Sequence, residues 1–185
     1  MKLSKAVIFF SLYLIFTSSN ASEKSKIISK LNDIDNIQFK FIQKTNEKIE
    51  KGKCILAFPN KLKCDYEDKN KKELIINKKT MAITQKRYEK TLFYPLSKST
   101  FINILGKNEL IKIINESNTI IDDYVNIVFI DSNNYKTLIR FDKEDFLLAG
   151  WVSSDQYNNQ IIFKIEIIST NQMVDDKIFN LPSRS

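Results

Sequence analysis

Lys51-Gly-Lys-Cys-Ile-Leu-Ala-Phe-Pro-Asn-Lys-Leu-Lys-Cys-Asp-Tyr66 holds two alternating runs that meet at Phe58-Pro59-Asn60-Lys61. Strand side chains alternate with period two, so Cys54, Leu56 and Phe58 share one face of the first run, and Leu62, Cys64 and Tyr66 one face of the second. Pro59 has no N–H to give to a ladder, which places it in the reversal or at an edge. The stretch therefore reads as a β-hairpin with one apolar side. The same alternation returns at 36–43, where Ile37, Phe39 and Phe41 face one way, and at 73–77, 81–84 and 91–94, with Asn77-Lys-Lys-Thr80 and Lys86-Arg-Tyr-Glu89 as polar reversals. A meander of consecutive antiparallel strands is the economical topology.

Further runs at 124–130, 135–141, 146–152 and 160–168 extend the pattern, with turn formers at 131–134, 142–145 and 155–159. The runs at 124–130 and 146–152 are apolar on both faces. Three short helices interrupt the strands. Residues 22–35 carry Ile27, Ile28, Leu31 and Ile34 on one stripe with lysines opposite. After Pro95, Thr100 is the expected N-cap of a helix bearing Phe101, Ile102, Ile104 and Leu105 and ended by Gly106, and a second helix covers 108–115. These two are too short to stand alone and nearly apolar all round, so they must lie on the apolar face of the sheet. About ten strands and a few helices give an α+β chain, mainly antiparallel β. Such a sheet with its cover either closes on a filled core or encloses a cavity, and periodicity leaves both open.

The first 21 residues place the chain. Met1-Lys-Leu-Ser-Lys5 is basic, Ala6 to Phe16 is apolar, and Thr17-Ser-Ser-Asn-Ala21 ends in small residues. This is the pattern of a secretory signal peptide cleaved after Ala21, and the apolar run is well short of the ~20 residues a transmembrane helix needs. The expected organisation is a signal peptide at 1–21 and one domain at 22–185. Ser22 follows the expected cleavage site, so the exported chain would not be lipid-anchored through a cysteine there. Losing Lys2 and Lys5 lowers the net charge from +7 to +5. The lysines read as scattered along strand edges and turns, a solvated surface that resists aggregation, and export argues against a nucleic-acid partner.

The 185-residue chain has no histidine, two cysteines and three glycines. That excludes the usual zinc, copper and haem ligand sets, Ser-His and Cys-His catalysis, and a glycine-rich phosphate loop. The paired acids Asp122-Asp123 and Asp175-Asp176 fall in turns and read as solvated. The expectation is a protein that is not an enzyme and carries no cofactor or metal. Cys54 and Cys64 sit symmetrically about Pro59, an invitation to a disulfide in an oxidising compartment. The other reading is two reduced, buried small hydrophobes, and an uncertain hairpin register leaves both open.

An order of features spans essentially the whole chain after residue 21: an amphipathic helix, a strand with Phe41-Ile-Gln43, the Gly52 strand ending Phe58-Pro59-Asn-Lys-Leu-Lys63, Tyr66, the helix pair after Pro95, Asp155 before a long strand, and a closing Ile178-Phe-Asn-Leu-Pro182. It resembles the periplasmic outer-membrane lipoprotein carrier family, LolA. The resemblance implies an open, incomplete β-barrel covered by short lid helices, whose cavity holds the acyl chains of lipoproteins. It also implies a periplasmic location, transfer from an inner-membrane ABC transporter to an outer-membrane receptor, and a monomer. A carrier needs an apolar concavity and a movable lid, which nominates Ile37, Phe39, Phe41, Leu56, Phe58, Leu62, Ile102, Ile104 and Leu105 as cavity or lid residues, against the competing reading of each as ordinary core. Many family members carry Arg immediately before the hairpin proline, tying lid to sheet. Phe58 stands there, so an apolar latch is expected in its place. The alternative function is a periplasmic sensor or interaction module of the same half-barrel without a transport role.

Overall fold

The computed structural model describes residues 22–98, 102–130, 134–154 and 159–183. The expected signal peptide and the expected N-cap Thr100 lie outside the described residues, as do most of the turns at 131–134 and 155–159. The hairpin of the opening stretch is formed by β2 (Lys48–Ala57) and β3 (Lys61–Tyr66). Before it lie α1 (Glu23–Asn32) and β1 (Asn36–Thr45). After it come β4 (Lys72–Asn77), β5 (Thr80–Gln85) and β6 (Lys90–Pro95), then α2 (Ile102–Leu105) and α3 (Lys107–Glu116). The rest of the chain gives β7 (Asn118–Ile121), β8 (Val125–Ile130), β9 (Lys136–Phe141), β10 (Leu148–Ser154) and β11 (Gln160–Thr170).

All eleven strands form one antiparallel sheet in the order β6-β5-β4-β3-β2-β1-β11-β10-β9-β8-β7. It consists of two meanders, joined in the middle where β1 pairs with β11 and Phe41 stands opposite Ile165. The outer strands β6 and β7 are not neighbours, so the barrel is open. The ladders shift register at Gln38/Phe39 and at Leu148/Gly150, and bulges of this kind bend a strand locally.

The alternation decides what is buried. Ile37, Phe39 and Phe41 on β1, Cys54 and Leu56 on β2, Leu62 and Cys64 on β3, and Leu74 and Ile76 on β4 all point to the concave side, where they meet Ile139, Trp151 and Phe163 from the second meander. Cys54 and Cys64 face each other across the hairpin and are joined by a disulfide, with their Cα atoms 4.1 Å apart. Closing a loop of sequence separation 10 constrains the unfolded chain by about 2–3 kcal/mol. The Cys54→Ala/Cys64→Ala pair should therefore unfold at lower urea, and an unchanged midpoint would refute that contribution.

The helices cap one another. The side chain of Ser22 accepts from the Ser25 N–H at the start of α1, and Ile27 and Leu31 are buried beneath it. From α1, Lys24 donates to the carbonyls of Asn115 and Ser117 at 3.1 and 2.6 Å, where α3 ends. From the start of α3, Lys107 donates to the Asn32 carbonyl at the end of α1. Each ammonium meets the negative end of the other helix's dipole, so α1 and α3 are held antiparallel.

Three expectations are corrected. There is an eleventh strand, β7, an edge whose Asn118-Thr-Ile-Ile121 does not alternate, its two adjacent isoleucines both being exposed. The strand expected from residue 146 begins at Leu148, because Asp142 and Asp145 accept backbone N–H groups and build a turn that leaves Phe146 at φ 60°. Gly106, read as a helix terminator, is instead the extended N-cap of α3. The tail returns to the convex side: Phe179, in a 3₁₀ turn at Asp176–Phe179, is fully buried. Its carbonyl accepts from Asn77, and Asp176 pairs with Lys61 at 2.7 Å.

Candidate functional site

The concave face and the lid enclose a chamber with a wholly apolar lining. Phe39, Cys54, Leu56, Leu62 and Cys64 form one wall, Leu148, Trp151, Phe163 and Ile165 the other, and Ile104 and Leu105 of α2 close it from above. About 10 Å³ of free space remains, room for at most about one water molecule and far below the 300–1,000 Å³ of a typical ligand pocket. The chamber is shut, and the lid side chains are its plug: Ile104 is 3% exposed and Leu105 1%.

A row of four rings crosses five strands at the base of the chamber. Trp151 on β10 stacks on Phe163 of β11 at 4.0 Å between centroids, Phe163 stacks on Phe41 of β1 at 5.0 Å, and Phe41 meets Tyr66 of β3 edge-on at 4.9 Å. The β2 residue between Phe41 and Tyr66 is Gly52. A Cβ there would lie 2.8 Å from the Phe41 ring and 2.2 Å from the Asp65 carbonyl oxygen, so the missing side chain is what lets Phe41 lean across to Tyr66.

Of the nominated residues, Phe39, Leu56, Leu62, Ile104 and Leu105 line the chamber. Phe41 lies in the ring row at its base, and Ile37 is buried higher on β1. Phe58 stands outside, at the joint with the lid. Ile102 belongs to α2, but its side chain lies outside the described residues. Sequence reasoning missed Leu148, Trp151, Phe163 and Ile165. Part of their signal was present, since Phe163 and Ile165 share the period-two face of β11, but nothing local says that Trp151 stands opposite Phe163 or that β11 closes against β1.

Residues 32–182 match the family model described as "Outer membrane lipoprotein carrier protein LolA". The chain belongs to the LolA family. Solved structures share the fold at low identity. An uncharacterized conserved protein from Thermus thermophilus is 7% identical with a TM-score of 0.52, over 85% of this chain and 93% of that one. A DUF1329 family protein from Desulfovibrio piger is 7% identical with a TM-score of 0.50, over 85% and 95%. The Pseudomonas aeruginosa MucA/MucB complex is 10% identical with a TM-score of 0.50, over 88% of this chain and 62% of the chain matched. No curated protein matches the sequence closely enough to count as a relative.

The lid of this LolA-family chain is jointed at the hairpin turn. The Asn60 N–H donates to the Leu105 carbonyl at 2.9 Å, linking turn to lid, while the Phe58 N–H donates to the Asp35 carbonyl at 2.9 Å. The Lys107 ammonium lies 5.4 Å from the Phe58 ring centroid and 3.7 Å from the Asp35 carboxylate. A cleft of about 620 Å³ opens beside these groups. The joint where an apolar latch was expected is thus mixed: an aromatic ring, a cation over its face and two backbone hydrogen bonds, one to Leu105 and one to Asp35.

Beyond the ring row the concave face turns polar. Glu50 pairs with Lys72 at 2.5 Å and with Lys48 at 3.1 Å, and the Lys72 ammonium sits 3.6 Å from the Tyr66 ring centroid. Burial pushes the Glu50 pKa up, but hydrogen bonds from Lys72 and Lys48 outweigh it and hold the carboxyl below its usual 4.5. Burial, with Glu50 and Asp68 nearby, raises the Tyr66 phenol. On the convex side burial likewise opposes ionisation of Glu73, and Lys86 and Lys63 again prevail and lower it. Depressed carboxyls stabilise the fold above their unfolded pKa and lose that contribution as pH falls through the folded value. Stability should therefore decline below about pH 4.5, and Glu50→Gln should flatten that decline in pH-dependent urea melts.

The paired acids have structural partners. Asp122 accepts from the Tyr124 N–H at 2.9 Å and from Asn126 at 2.8 Å, contacts that lower its pKa. Asp175 caps the final 3₁₀ turn. No group of three or more potential metal ligands occurs among the described residues, and no described helix is long and apolar enough to cross a membrane.

Proposed function

We propose that this chain is a periplasmic carrier that shelters the acyl chains of lipoproteins beneath its lid while they pass from the inner to the outer membrane. The observation that carries the reading is the apolar chamber closed by Ile104 and Leu105, on a chain of the LolA family. An empty carrier has to shut, because an open apolar concavity of this width would itself aggregate. A loaded one has to exchange lid side chains for cargo. Each acyl methylene withdrawn from water contributes about 0.8 kcal/mol, so a chain of ordinary length outweighs the few contacts that join the lid to the hairpin turn.

In this reading the signal peptide is removed after Ala21 and the chain works as a monomer. It receives cargo from an inner-membrane ABC transporter, delivers it to an outer-membrane receptor, and catalyses no reaction. Leu56, Leu62 and Phe39 form the floor that acyl chains touch, and Ile104 and Leu105 are the side chains they displace. Native mass spectrometry of the chain from Ser22 onward, mixed with a triacylated lipoprotein or with its delipidated form, tests the reading. A one-to-one complex with the acylated form alone is expected. Binding to neither, or equally to both, would contradict the carrier and favour an interaction module.

A further inference from the structure

The sequence placed its lysines on edges and turns, where they would guard against aggregation. The sheet order puts several of them elsewhere. β2, β1 and β11 are the middle of the sheet and have no free edge to protect, yet their convex side is crowded with exposed ammonium groups. Lys40 stands directly opposite Lys53. Ile42, 44% exposed, is flanked by Lys51 on one neighbouring strand and Lys164 on the other, and Lys44 continues the row. Lys40 has one exposed carboxylate partner, Glu166 at 3.2 Å. Lys44, Lys51, Lys53 and Lys164 form no ion pair among the described residues. Like charges directly opposite across a ladder disfavour the sheet, and Glu166 opposite Lys40 and Asp65 opposite Lys53 on the flanking strands offset only part of that. Beside the lysines the same face turns aliphatic: Val152 stands between Ile162 and Leu138, in register on three adjacent strands.

We propose that this convex crest docks on an anionic lipid bilayer. The cations on β1, β2 and β11 are all lysines, compact charges on flexible stems, without the planar fork with which arginine grips a defined carboxylate or phosphate; Arg140 on β9 is half-buried with its guanidinium over the Tyr124 ring. Spread over three strands of a convex surface, they match the diffuse negative charge of mixed headgroups, to which each lysine near the surface adds about a fivefold gain in affinity. Ile42 and the aliphatic row supply shallow apolar contact at the headgroup level. The surface lies on the opposite side of the sheet from the chamber, so the proposal stands apart from the carrier reading: a bilayer could be engaged while the lid stays free to move.

Co-sedimentation of the chain from Ser22 onward with vesicles tests it, using phosphatidylcholine alone and equal parts of phosphatidylcholine and phosphatidylglycerol. Binding to the anionic vesicles alone is expected, and it should disappear at about 1 M salt, where charges are screened within ~3 Å. Lys40→Gln/Lys53→Gln should weaken it tenfold or more by the per-lysine factor, whereas Lys30→Gln/Lys112→Gln, on the lid helices, should change it less than about twofold. The crest proposal is overturned by no binding to anionic vesicles, by equal binding to both kinds, or by equal losses from the two variant pairs. Competition by free glycerol phosphate would overturn it as well, since that would mean a local phosphate site and not a surface.

Discussion

Gly150→Ala is expected to lower stability by about 3–5 kcal/mol, adding the strain of a forbidden backbone conformation to that of overpacking. Gly150 sits at the bulge of β10 with φ +141°, a conformation that side chains rarely adopt, and a Cβ would lie 2.0 Å from the Phe163 carbonyl oxygen. The obstacle is backbone, so no rotamer change relieves it. Relief requires β10 to shift away from β11, and that pair carries the Trp151–Phe163 stack at the base of the chamber. The melting temperature should fall by about 6–20 °C for a domain of this size, with a loosened environment around Trp151. A melting curve matching that of the parent would mean that the bulge is not what the ladder register indicates.

Leu56→Glu should have the second large effect. Leu56 is 2% exposed and faces the lid side chains across the chamber, and every lining group there is apolar. A carboxylate in that position has neither cation nor donor, and an unpaired buried charge costs about 3–5 kcal/mol. The chain can meet this cost by unfolding, by protonating the new acid, or by opening the lid to admit water. In each case acyl binding should fall sharply. Leu56→Met keeps volume and apolarity and should cost less than about 1.5 kcal/mol, which separates the effect of charge from that of shape. A folded Leu56→Glu variant that binds acylated lipoprotein as the parent does would remove Leu56 from the cavity.

Much of the architecture is legible in local patterning, because strand alternation and turn chemistry are short-range. The hairpin about Pro59, the meander through β6 and the run of strands after α3 all follow from period two and from polar reversals. What escaped has a physical reason in each case. β7 carries its two isoleucines side by side and exposed, so it shows no period-two face. Phe146 belongs to a turn built by aspartate side chains that accept backbone N–H groups, which hydrophobic patterning does not register. The pairing of β1 with β11 joins residues more than a hundred positions apart, so the wall formed by Leu148, Trp151, Phe163 and Ile165 could not be assigned to the same chamber as Phe39 and Leu56. Lys51 and Lys53 are a different case: the meander itself sets β2 between β1 and β3, so reading them as edge charges is at odds with the strand order the sequence already implies.

Trp151 is the only tryptophan in the chain. It is 4% exposed and lines the chamber, so its fluorescence reports directly on what enters. The decisive measurement is a titration with a lipopeptide whose acyl chains carry bromine, a contact quencher, beside its unbrominated twin and its deacylated form. If acyl chains occupy the space beneath Ile104 and Leu105, the brominated lipopeptide quenches Trp151 saturably at one per protein, the twin binds without quenching, and the deacylated peptide does neither. Binding of both lipopeptides with identical, unquenched emission would place the acyl chains elsewhere on the protein and contradict the account.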